Sequence, residues 1–495
     1  MVSGFFNKIG DNYGRFIPFL FVVPLGILTA KFFASGDTYQ QILWLLVSIF
    51  LAASAVYGLR FIFFLLLPIS IVSRGVFNLI GYLTIWDALL ILVSGTIIIT
   101  TLLKRRKLRL SRDGKVLVLL VFTIIGTQVI GFISFPELFL DVSFKPFLNL
   151  VEGALVSICV VSLIRKVNDI KILTRLILLA GLSLALITIY EAHFGTFFIG
   201  EQAIFSSTYS DYRRELKINP SSILLFLPAF YFTVLSTKKR PYMFILIFLF
   251  LYTFILSSSR SLYIGVLGGI IGILYLKRTS AGFLIISIAT VLIAFTSDFI
   301  IPKVSEVTSS FSSYFSGSYP GGSSTTGRII ISKTALANFL NHPFWGYGIN
   351  GFGMESYTDP HYMKRLGVME EFGGFFTQFG APAGDTHNQY LQILTDHGLI
   401  ALALFLYLYF RLIKLAYRNC IKTVDPFLNN VSAALFVALV GLVFSFLGVP
   451  LLTSMASIIS MTAFGVTVGL IFSIKRIIEK DERGFNKLNS NILRN

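Results

Sequence analysis

At 495 residues the chain is long enough for two or three soluble domains, yet 55% of it is hydrophobic and only 13% is charged. With a mean hydropathy of +0.79, against the roughly 25% charged residues of a soluble globular chain, that organisation is excluded and a polytopic membrane protein is expected. The formal net charge of +17 and pI near 9.7 would point to nucleic acid in a soluble protein; in a membrane protein they first report loop topology, and no nucleic-acid partner is expected.

In chain order, apolar runs of helix length predict about fourteen membrane spans, near 17–35, 41–57, 61–75, 83–103, 116–134, 146–164, 172–190, 221–236, 242–258, 261–276, 281–301, 393–413, 431–449 and 455–474. MVSGFFNKIGDNYGR at the start has no small-residue cleavage site after its apolar run, so the first run is expected to stay as a membrane helix. LRFIFFLLLPISIV carries Arg60 and Pro68 and reads as a short or re-entrant segment. The expected architecture is all-α, with an N-terminal bundle over 1–301, a large outer loop over 302–392, C-terminal membrane helices over 393–474 and a cytoplasmic tail over 475–495. Cys159 lies in an apolar run and Cys420 in a basic loop, which leaves no disulfide framework or CxxC metal site.

Alternating helices should gather Lys and Arg in every second loop. They do: KRRKLRLSRDGK at 104–115, KKR at 238–240, RLIKLAYR at 411–418 and KRIIEKDERGFNK near the end all fall on one side with a cytoplasmic N-terminus. About 29 Lys and Arg but only about 7 Asp and Glu face the cytoplasm by this assignment, and the outer face is slightly acidic. Two outer loops are long, about 191–220 and about 302–392. Within the second, GRIIISKTALANFL has helical apolar spacing and Pro343 would stop it, so one amphipathic helix over the outer face is expected, then a glycine-rich turn, FWGYGINGFGM.

Inside the spans, GVLGGIIG pairs Gly265 with Gly269 and Gly268 with Gly272, a spacing that permits close helix approach. Glu152 and Asp87 are ionisable residues expected within or near the ends of spans, where either a functional or a structural role is open. GxxxxGK[ST], HExxH, GxSxG and outer-loop DxD motifs are absent from the sequence. That weakens ATP-driven transport, zinc proteolysis, serine hydrolysis and metal-dependent sugar-nucleotide transfer. The remaining chemistry is an outer face with arginines near helix ends and one well-placed histidine. Arg213 and Arg214 precede INPSS, Arg260 sits in SSSRSLY, and Arg328 in TTGRII. Arg260 either snorkels to headgroups or holds an anion; together such guanidinium forks can hold a diphosphate. His387, before the twelfth span, could serve as a general base with Asp385 near it, or be structural.

TGRIIISKTALANFLNHPFWGYGINGF, followed by THNQYLQILTDHGLIALALFLYLYF, resembles the C-terminal region shared by the O-antigen ligase and Wzy-type O-antigen polymerase superfamily. A Gly-Arg pair, a helix, a His-Pro-x-x-Gly-x-Gly turn and His387-Asn388 ahead of Gly398 carry the resemblance, with Ala401 a mild departure. SSSRSLYIGVL and RRELKINPSSILLFLPAF resemble the family's two arginine-bearing segments that open helices. The resemblance implies glycosyl transfer on the periplasmic side of a bacterial inner membrane, from an oligosaccharide on undecaprenyl diphosphate to an acceptor glycolipid. Under it, His387 is the general base, Arg260 with Arg213 or Arg214 binds the diphosphate, Arg328 supports the acceptor or the outer helix, and Asn388 and Asp385 assist. No cofactor or metal is implied, and a chain-length regulator is a possible partner. The Phe-, Ile- and Lys-rich composition favours a polymerase over a ligase. A lipid-linked oligosaccharide flippase would instead predict midplane charges and symmetric halves, which the sequence lacks.

Overall fold

Backbone N–H and C=O groups find no water inside a hydrocarbon layer, so long apolar runs satisfy them internally as helix. The computed structural model describes residues 63–64, 66–67, 78–80, 83–103, 112–136, 144–194, 223–236, 241–256, 260–276, 324–352, 386–447 and 458–492. Among the described residues are eleven helices: α1 (Ile85–Leu103), α2 (Arg112–Ser134), α3 (Phe144–Leu163), α4 (Val167–Phe194), α5 (Ile223–Leu235), α6 (Pro241–Leu256), α7 (Arg260–Tyr275), α8 (Ser324–Asn341), α9 (Gln389–Lys422), α10 (Pro426–Ser445) and α11 (Ile458–Ile492). One short antiparallel ribbon, β1 (Asn78–Ile80) with β2 (Leu83–Thr84), leads into α1 and is the exception to the all-α expectation. Its sequence, NLIGYLT, holds the glycine-centred hairpin signal that the hydropathy reading passes over.

Ten of the expected spans coincide with α1 to α7 and α9 to α11, while those at 17–35, 41–57 and 281–301, and most of 61–75, lie outside the described residues. Four helices are long and apolar enough to cross a membrane by length and composition: Val167–Tyr190, Gln389–Lys422, Pro426–Ser445 and Met461–Arg483. Shorter apolar stretches occur in α1, α2, α3, α6 and α7, so fourteen full spans are not accounted for among the described residues. The expected outer helix is present as α8, which ends just before His342-Pro343, where the proline removes the next donor. α11 runs unbroken through the expected start of the tail.

α10 lies at the centre, packed on α5, α7, α9 and α11, and buries residues around its whole circumference, including the consecutive Ser432, Ala433, Ala434 and Leu435. Its start is fixed by Asp425, whose carboxylate accepts from Phe427 N and Leu428 N at 2.8 and 3.0 Å. The packing of α7 against α10 and α5 explains the paired glycines. A Cβ on Gly265 would overlap Ser445, one on Gly268 would overlap Phe444, and one on Gly269 would overlap the Tyr231 hydroxyl, which donates to Val266 O at 2.8 Å. The small residues serve close packing. A second close seam joins α3 to α11, where a Cβ on Gly153 would lie 2.6 Å from Met461 O.

One end of the bundle gathers basic side chains. There Asn419 donates to Ile471 O at 2.8 Å, Lys422 pairs with Glu482 at 3.0 Å and Arg476 donates to Ile164 O, among Arg411, Lys414, Arg418 and Lys475. The opposite end gathers the start of α7, the start of α9 and the end of α10. Exposed apolar side chains such as Phe122, Ile133 and Phe248 cover the flanks, as hydrocarbon contact requires.

Candidate functional site

The site grows from the first turn of α9. Asn388 is the N-cap, in extended conformation, and its side-chain oxygen accepts from Tyr390 N at 2.9 Å and Leu391 N at 3.2 Å. This satisfies two of the donors that every helix start leaves unpaired. Gln389 N donates to Phe446 O at 2.8 Å, and Asn388 Nδ2 reaches Leu447 O at 3.5 Å, so α9 is bolted to the end of α10. Ser445 Oγ in turn donates to Ser261 O at 2.9 Å, one residue into α7. His387, immediately before the cap, and the Arg260 backbone, the first residue of α7, are therefore brought to the same end of the bundle through residues 445–447.

His387 is half-buried and holds a left-handed backbone, φ +53°. Histidine tolerates this region better than most side chains, yet it still costs about 1–3 kcal/mol, and surrounding structure must enforce it. Thr386 does so from one side: its N–H donates to Gln392 Oε1 at 2.7 Å, and its hydroxyl spans His387 to donate to Asn388 O at 2.8 Å.

Arg328 lies in α8, which packs against α9. The side chains of Arg260 and Arg328, and the whole of Arg213, Arg214 and Asp385, lie outside the described residues. Asp87 falls in the first turn of α1. Glu152 is buried in α3 and accepts from Thr462 Oγ1 at 2.7 Å, tying α3 to α11.

Beneath His387 lies a set of residues that hydropathy alone passes over. α9 is interrupted at Gly398, φ +79° and ψ −180°, a conformation open almost only to glycine. The interruption frees backbone groups, and the glycine-rich turn after α8 takes them: Leu399 N donates to Pro343 O at 2.9 Å, and Gly348 N to Asp396 O at 2.9 Å. Gly346 must be glycine because any Cβ would overlap the carbonyls of Thr395 and Asp396. His342 Nε2 and the Tyr347 hydroxyl, 2.9 Å apart, and Tyr347 against Phe135 at 5.1 Å, anchor the same turn to α8 and to the end of α2.

Asp396 is fully buried, and its carboxylate accepts from Asn350 N at 3.0 Å, Phe352 N at 3.4 Å and Gln392 Nε2 at 2.9 Å. His397 Nδ1 lies 2.6 Å from Thr127 Oγ1, which also donates to Ile124 O at 2.9 Å. The legible signal for these residues is a polar stripe, Gln389, Gln392 and Asp396, at helical spacing in an otherwise apolar helix, all three fully buried.

Chemically, the N-termini of α7 and α9 open to one end with their positive dipole ends, next to an arginine position and a histidine. That environment favours an anion beside a group able to accept a proton. No curated protein matches the chain. Residues 245–406 match the family model described as O-antigen ligase, a stretch that contains Arg260, Arg328, the glycine-rich turn, His387 and the start of α9. The apolar helices and this match together point to a multi-pass membrane protein. The chain therefore carries, over residues 245–406, a domain of the O-antigen ligase family, which supports its place in the O-antigen ligase and Wzy-type polymerase superfamily.

Proposed function

We propose that the protein polymerises lipid-linked surface-polysaccharide repeats by inverting glycosyl transfer at the outer side of a bacterial inner membrane, with an undecaprenyl-diphosphate-linked oligosaccharide as donor. The observation that carries this reading is that His387 and the Arg260-bearing start of α7, both within the stretch that matches the O-antigen ligase model, are tied to one end of the bundle through residues 445–447, which lie beyond that stretch. In this reading the imidazole of His387 takes the proton from an acceptor sugar hydroxyl as that oxygen bonds to the anomeric carbon. The bond from that carbon to the diphosphate breaks, its electron pair leaves on the diphosphate, and Arg260 with Arg213 or Arg214 offsets the charge. Attack opposite the leaving group inverts the anomeric configuration. A lipid diphosphate is already a good leaving group, so the step draws on no cofactor, and Arg328 on α8 supports the acceptor.

Two measurements test it on membranes that hold the host's own lipid-linked glycan. His387→Ala and Arg260→Ala should each slow chain extension by about 100-fold or more, with the protein still inserted and monodisperse, and a chelator should leave wild-type extension unchanged. Wild-type extension by His387→Ala, or its loss in chelator, overturns the mechanism. The description of the matching family favours a second reading, ligation of finished glycan to a lipid A core. Product analysis separates the two: laddered chains on undecaprenyl diphosphate mark a polymerase, whereas loss of core-attached glycan alone marks a ligase.

A further inference from the structure

The residues under His387 form one continuous line of hydrogen bonds. Asn350 N and Phe352 N, in the glycine-rich turn, donate to the Asp396 carboxylate at 3.0 and 3.4 Å; Gln392 Nε2 donates to the same carboxylate at 2.9 Å; and Gln392 Oε1 accepts from Thr386 N at 2.7 Å. The Gln392 amide has only one workable orientation here. Turned over, its NH2 would face the Thr386 N–H and its oxygen would face the carboxylate, donor to donor and acceptor to acceptor. Gln392 and Asp396 are both fully buried, so water cannot replace a lost partner. At the far end, the Thr386 hydroxyl closes over His387 onto Asn388 O at 2.8 Å. The one residue enclosed by these ties is the one whose backbone sits at φ +53°.

From this line of bonds we infer that Gln392 and Asp396 are positioning residues that hold His387 in its left-handed conformation and so aim its imidazole, and that they couple this aim to the seating of the 346–352 turn on α9. The inference rests on His387 as the general base. A residue held at positive φ relaxes to the ordinary region when its ties are cut, and its Cβ then points elsewhere. The turn is the sensing end of the line: whatever lifts residues 350–352 from Asp396 releases the constraint on His387.

The test uses the full-length protein, with amide exchange read by mass spectrometry and chain extension followed in membranes holding the host's lipid-linked glycan. Gln392→Leu cuts both Gln392 bonds; Thr386→Val keeps shape and removes the hydroxyl tie; Thr386→Ser restores it. Expected for Gln392→Leu and Thr386→Val are faster exchange over 386–392, unchanged exchange over 431–445 in α10, and extension slowed roughly 10- to 100-fold, with Thr386→Ser restoring both. Unchanged exchange at 386–392, or wild-type extension by Gln392→Leu while His387→Ala is inactive, overturns the inference and leaves the proposed function standing. Loss of protection through α10 in both variants assigns the line a purely structural role and also overturns it. Wild-type extension by His387→Ala removes the general base itself, and the inference falls with it.

Discussion

Asn388 and Gly398 are each held at one position by a specific local requirement, and each can be tested by a single substitution. Asn388→Ala removes the acceptor for two helix-start donors and should cost about 1 kcal/mol, read as a lower thermal midpoint in detergent, whereas Asn388→Asp keeps the cap but sets a carboxylate oxygen against Leu447 O and should recover only part of that loss. Gly398→Ala meets two obstacles, a φ of +79° and a Cβ that would overlap the Phe344 carbonyl. It should cost about 2 kcal/mol or more; a midpoint equal to wild type would show that the break in α9 is not required. Asn388 was visible in the sequence as half of the His-Asn pair, but its role as a cap was not. The cap becomes visible only when the break at Gly398 and the short segment before it show that α9 starts at Gln389, ahead of the expected span at 393–413.

At the scale of elements, the helices are legible because hydrophobic runs of this length have one way to satisfy their backbone. Their partners are not, since a glycine spacing announces a close approach without naming what approaches. Gly269→Val in the α7 seam should displace Tyr231 and cost about 1–3 kcal/mol. By contrast, a methyl group added at Gly95 or Gly126 would meet nothing within 4 Å among the described residues, so Gly95→Ala and Gly126→Ala should raise stability by about 0.5–1 kcal/mol through helix propensity. Thermal midpoints of the three in one detergent check the contrast, and equal shifts would show that the seam is not tight. The ion pairs at the basic end, Lys422 with Glu482 and Lys475 with Glu479, are about half exposed and add little to this balance.

For the whole molecule, the basic side chains gathered at one end make a topological prediction. Cys159 and Cys420 are both buried, so an impermeant maleimide should leave the wild-type chain unlabelled. On intact cells it should label Trp345→Cys, which is 49% exposed beside the glycine-rich turn, but should reach Val424→Cys, 95% exposed between α9 and α10, only after permeabilisation. Labelling of both from one side would overturn the opposed ends. Composition by itself determined that the chain is a helical membrane protein, the alternation of basic loops predicts its orientation, and the residues around His387 and Arg260 determined which chemistry to look for. Those properties are local: they depend on runs of residue type and on charge counted along the chain. Only the tertiary structure decided that residues 445–447 join the start of α7 to the start of α9, that the paired glycines face Tyr231, Phe444 and Ser445, and that Asp396 and Gln392 lie beneath His387. These depend on which groups remain unpaired after each helix forms and on which neighbour can reach them, and no spacing along one segment contains that information.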